Sequence, residues 1–221
     1  MAFWTILVKD LRLELRTRES LATMVVFAAT IILLFAFAFS AAPAQLRSFA
    51  PGLIWITYFF TAVLGLLRSF GRENEQDAYD LLLTAPLDRG AIFLGKMAAF
   101  FILLLAAQLV SLPFFILFLD LPLWKAPTAF ALILVITDLA IAAVGTLIAG
   151  MSLRSPAGET LLPILLFPLL TPILIAATEA TDAVLAGQPL EEWDFWLMLL
   201  LTFFGVFVLA GTFIFDYISE Q

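Results

Sequence analysis

Between Ser20 and Ala42 the chain runs for more than 20 positions without a charged residue, and no other feature limits the fold as much. About 20 apolar residues in a helix span the hydrocarbon core of a bilayer. In that medium the backbone must satisfy its own hydrogen bonds, which a single segment can do only as a helix. Ala42-Pro43-Ala44 imitates the small-residue cleavage site of a secretory leader. The run is longer than the usual leader core of about 7–15 residues, however, and a proline sits inside the site, so the segment reads as a retained span.

Five more apolar runs follow, at about 49–67, 91–119, 128–150, 161–177 and 195–215. Hydrophobic residues make up 63% of the chain and charged residues 13%, against about 45–50% and 25% in a soluble domain. The mean hydropathy is +1.09. Spans and their connections consume the 221 residues, which leaves no room for a separate soluble catalytic domain. The expected fold is all-α: one transmembrane domain over 1–221 with six spans and an N-terminal helix, 1–19, lying in the interface.

The net charge of −7 says little about a membrane chain, because the placement of Lys and Arg governs topology. Six spans put both termini on one side. With them lie Lys9, Arg12, Arg16, Arg18, Arg68, Arg72, Arg89, Lys96 and Arg154, while Arg47 and Lys125 lie opposite. The positive-inside rule makes the terminal side cytoplasmic. The acidic interval with Glu179, Asp182, Glu191, Glu192 and Asp194 then faces outward, where it reads as a solvated loop or a hard-cation site. Trp124 and Lys125 form an interface anchor in another outward loop, and Pro43 to Ser48 a brief polar turn.

Zero cysteines and zero histidines exclude disulfides, thiolate nucleophiles, imidazole bases and the commonest transition-metal ligands. No nucleophile and base stand at a usable spacing, and Met24 and Met198 read as packing residues. The expectation is no catalytic residue, no metal and no bound cofactor. Gly90 to Lys96 fits the G-x-x-x-x-G-K outline of a nucleotide-binding loop, yet Met97 stands where Ser or Thr would hold Mg²⁺ and no strand precedes it. Nucleic acid is not an expected partner either.

Three regions remain as candidates. In the leader, Trp4, Leu7, Val8, Leu11 and Leu15 share a helical face while Lys9, Arg12 and Arg16 fall on another, the pattern of an interfacial helix or of a plain solvated leader. Within the spans, Asp138 is the one deep acidic residue, serving either a substrate path or a bond from a protonated carboxyl to a neighbouring helix, with Thr137 and Thr146 nearby. Pro163, Pro168 and Pro172 should kink or break the fifth span. Lys96, at the start of the third span, is expected to snorkel toward water. Between the second and third spans the charged interval 68–90 contains an amphipathic segment, Glu73 to Leu83, that Pro86 terminates.

That interval, Gly71-Arg-Glu-Asn-Glu75 with Leu81-Leu-Leu-Thr-Ala-Pro-Leu87 and Gly95-Lys96, resembles the cytoplasmic segment of ABC-2 type exporter permeases. Together with the Lys9 to Glu19 leader and the Glu159 to Pro168 run, it makes the whole chain similar to the haem exporter protein B family, CcmB, of the cytochrome c maturation system. The resemblance implies a permease subunit in a bacterial inner membrane, paired with a cytoplasmic, CcmA-like ABC ATPase that carries the ATP and Mg²⁺. It also implies CcmC- and CcmD-like haem-handling subunits, a CcmE-like periplasmic haem chaperone, and two permease copies, or a permease plus a related subunit, per ATPase dimer. Haem is the implied cargo of the complex, either exported or released as a loaded chaperone. The alternative is an ABC-2 permease for a lipid-linked sugar or a drug. By the same resemblance Arg72, Glu73, Glu75, Asp77, Tyr79, Asp80 and Leu81 would form a coupling helix seated on the ATPase, with Glu159 as a second, smaller contact. The interfacial-helix residues would be Trp4, Lys9, Arg12, Arg16 and Arg18.

Overall fold

A computed structural model describes residues 2–75, 89–119, 121–152 and 158–217. Among them there is no strand. The elements are α1 (Ala2–Thr17), α2 (Glu19–Ala38), α3 (Pro43–Glu75), α4 (Arg89–Leu119), α5 (Pro127–Ser152), α6 (Gly158–Leu185) and α7 (Asp194–Tyr217), with short 3₁₀ turns at Leu123–Lys125 and Leu190–Glu192. All but α1 are long and apolar enough to cross a membrane, so the six-span, all-α expectation holds.

The core forms around α5, which packs against α3, α4, α6 and α7. Its run Ala140 to Ala149 is almost wholly buried and mostly small, the composition that lets helix backbones approach in a medium offering no hydrophobic drive. Gly145 marks a close approach to α3, since a Cβ there would stand 2.7 Å from Leu66 Cδ1. Lining the outside, α2 and α7 turn large side chains such as Phe37, Met198, Leu209 and Phe213 outward.

Three boundaries differ from the sequence reading. Residues 43–48 belong to α3, because Pro43 sits at its first position, where a proline's missing N–H costs nothing. The same helix runs on through Glu75, so the first part of the charged interval is helix and not loop. Gly71, like Pro51, Gly52 and Gly65 a poor helix former, is tolerated near the end, where Phe70 is buried. Finally, α6 is one continuous helix through Pro163, Pro168 and Pro172. Its buried stripe of Leu162, Leu166, Leu170, Ile173, Ala177 and Ala180 is held by α3, α5 and α7, and this packing outweighs the backbone bonds the prolines forgo. The continuation carries Glu179 and Asp182 onto the last turns of α6 and shortens the acidic loop.

Candidate functional site

Four spans meet in a sealed polar layer. Asp138 of α5 and Gln108 of α4 have no exposed surface, and Gln108 Nε2 donates to Asp138 Oδ1 at 2.7 Å. The Gln108 carbonyl accepts a bond of 3.1 Å from Ser111 Oγ and a long one of 3.4 Å from the Tyr58 hydroxyl of α3. Tyr58 is braced edge-on by Trp55 and Phe115. On its other side, Trp55 Nε1 donates to Thr181 Oγ1 of α6 at 2.9 Å, and Thr181 donates onward to the Ala177 carbonyl at 2.7 Å. Thus α3 is bonded to α4 and α6, and α4 to α5. Asp138 Oδ2 and Gln108 Oε1 remain buried without a hydrogen-bond partner among the described residues. A buried polar atom in this position costs about 1–3 kcal/mol.

A second cluster sits at the aqueous end of α3 and α4. There α1 docks on α4 through Ile6 and Leu7. Gly95 permits the contact, because a Cβ there would lie 3.1 Å from both Ile6 and the Phe3 carbonyl oxygen. Lys96 does not snorkel. Its side chain is 4% exposed, with Nζ 3.8 Å from Asp10 Oδ2 and 5.1 Å from the centroid of the Phe70 ring. A carboxylate and a ring face take the place of water around the ammonium. Asp10 also pairs with Lys9 at 3.0 Å. The G-x-x-x-x-G-K outline is therefore ordinary helix, its glycine serving helix contact and its lysine an internal ion pair.

The leader has three faces where two were expected. One docks, a second exposes Trp4, Val8 and Leu15, and the third carries Lys9, Arg12 and Arg16. Arg18 lies outside α1: it is the joint to α2, in the left-handed region at φ 55°. The Glu14 carboxylate closes that joint by accepting from the Leu21 N–H at 2.9 Å, satisfying a donor in the first turn of α2.

Of the expected coupling residues, Asp77, Tyr79, Asp80 and Leu81 lie outside the described residues. Arg72, Glu73 and Glu75 are placed by their backbone on the last turn of α3, and Glu159 on the first turn of α6. Asp138 takes the neighbouring-helix bond, but its partner is Gln108 and not Thr137 or Thr146. The acidic side chains do not converge: among the described residues no three Asp or Glu could hold a metal ion. Trp55, Tyr58, Gln108, Ser111 and Thr181 went unread, although an amide inside an uncharged span is a signal of the same kind as Asp138.

Fold and polar layer together define a polytopic α-helical membrane protein with an aqueous-side helical base and no exposed reaction centre among the described residues. The chain belongs to the CcmB protein family, whose pattern matches residues 1–217. It is 28% identical over 198 residues to the heme exporter protein B of Pseudomonas aeruginosa, covering 90% of this chain and 88% of that one. Identity to the heme exporter protein B of Paracoccus denitrificans is 32% over 183 residues, 82% and 83% of the two chains. The Escherichia coli K12 protein of the same name is 29% identical over 198 residues, 87% of each.

Proposed function

We propose that the chain is the permease subunit of a haem-exporting ABC complex in cytochrome c maturation, driven by ATP hydrolysis in a separate cytoplasmic ATPase. The full-length likeness to heme exporter B proteins carries this reading. On it, both termini are cytoplasmic in a bacterial inner membrane, and CcmC-, CcmD- and CcmE-like components are the haem-handling partners.

The geometry supports a route for the work. The stretch 76–88 connects the end of α3 to the start of α4, so an ATPase pressing on Arg72 to Leu81, with Glu159 as a second contact, would push on two helices at once. From Lys96 to Gln108, α4 rises about 18 Å, and there Gln108 grips Asp138 of α5 while Trp55 of α3 grips Thr181 of α6. Tilting the α3–α4 pair would load both hydrogen bonds and repack α5 against α6. Lacking histidine, this subunit transmits motion and leaves axial ligation of iron to its partners.

The test is charge reversal. Glu73→Arg and Asp77→Arg should leave the protein in the membrane while abolishing ATPase co-purification and c-type cytochrome yield. Wild-type values of both would remove the coupling claim.

A further inference from the structure

Outside the polar layer, α4 and α5 border an apolar groove on the half of the bilayer away from the termini. The groove between them has a volume of about 420 Å³ and is lined by side chains such as Leu109, Leu112 and Ile116 of α4 and Phe130 and Leu134 of α5, with Trp124 at its outer end. From Leu105 to Ile116 it follows α4 for about 16 Å, close to half of the roughly 30 Å hydrocarbon core. That length matches one acyl chain in one leaflet, and the groove is wide enough to admit one.

The lining argues against a protein helix as occupant. Closely packed membrane helices meet across Gly, Ala, Ser and Thr, or through polar side chains. Here the walls are Leu, Ile, Phe and Val with Trp124 and Pro127 toward the outer end, and Ala131 is the one small residue. At the mouth the 3₁₀ turn Leu123–Lys125 sets Trp124, 62% exposed, beside Lys125. Lys125 is exposed, makes no ion pair among the described residues, and is one of only two basic residues on this side of the chain. An indole lining the outer end of an apolar slot, with an exposed cation on the next residue, matches a phosphate ester at the headgroup level.

We propose that the α4–α5 groove binds one anionic phospholipid of the leaflet opposite the termini, an acyl chain filling the groove and the phosphate resting on Lys125. Native mass spectrometry of the full-length chain with its co-purified subunits, supplied with equal phosphatidylglycerol and phosphatidylethanolamine, tests this. Wild type should retain about one phosphatidylglycerol per chain, and Ala131→Trp, which fills the slot from an exposed position, should lose it. Lys125→Gln, a surface change that leaves packing intact, should keep a lipid but shift the retained ratio about fivefold toward phosphatidylethanolamine. Equal lipid retention by wild type and Ala131→Trp would overturn the proposal, as would an unchanged ratio in Lys125→Gln. Loss of a protein subunit from Ala131→Trp with its lipid count unchanged would also overturn it, assigning the groove to a helix.

Discussion

Replacing Asp138 by Asn asks whether the polar layer needs a carboxylate or only hydrogen-bonding shape. In the native protein Gln108 Nε2 donates to Oδ1 at 2.7 Å, while Asp138 Oδ2 and Gln108 Oε1 are both buried acceptors without partners. Asp138→Asn retains the bonded acceptor and turns the other oxygen into a donor, the polarity the orphaned Gln108 Oε1 lacks. An interhelical hydrogen bond in a membrane contributes about 0.6 kcal/mol and at most about 1.7. Asp138→Asn should therefore fall between neutral and about 1 kcal/mol stabilising. Gln108→Leu keeps the bulk of the side chain but strips the buried Asp138 Oδ1 of its one donor, a loss of about 1–3 kcal/mol. Equilibrium unfolding of both variants in bicelles should thus separate them by about 1–4 kcal/mol. If Asp138→Asn loses as much stability as Gln108→Leu, the hydrogen-bond account of this layer is wrong. Cytochrome yield from the same cells asks a different question: a stable, membrane-inserted Asp138→Asn protein that supports none would place the carboxylate itself in the working cycle.

Other contacts make sharper steric claims. A Cβ on Gly211 of α7 would overlap the fully buried ring of Phe93, so Gly211→Ala should cost about 1–3 kcal/mol, with Phe93→Leu recovering most of it in a double-mutant cycle. Gly95→Leu should lift α1 off α4. Because the chain has no cysteine, an Ile6→Cys reporter can follow this, and its maleimide labelling should speed up about tenfold for each 1.4 kcal/mol of lost docking. Lys96→Met keeps the stem but leaves Asp10 without its buried partner, so reporter labelling should rise there too, whereas a Lys96 that merely snorkelled would leave it unchanged. Arg18→Gly relieves a left-handed residue and should stabilise the protein by about 1 kcal/mol, read as a higher thermal midpoint in detergent.

The number of spans, their approximate centres and the α-only fold were legible from sequence, because hydrocarbon leaves no alternative to a self-satisfied helix and the uncharged runs have the length to cross it. The family likeness was legible as well, carried by Gly71 to Lys96 and by the Glu159 to Pro168 run, which keep their identity whatever the helices pack against. Helix rotation was not. Spans that are apolar all round carry little local signal about which face turns inward, so Gln108 as the partner of Asp138, 30 positions away, emerged only once α4 and α5 were packed. Tertiary contact likewise decided that Lys96 is buried, since Asp10 comes from α1 and Phe70 from α3. It also decided that α6 stays whole through three prolines, because the neighbours that hold its buried stripe lie elsewhere in the chain. Local chemistry determined what each segment had to be, and only the assembled bundle determined which atoms met, because hydrogen bonds and close helix approaches are properties of pairs.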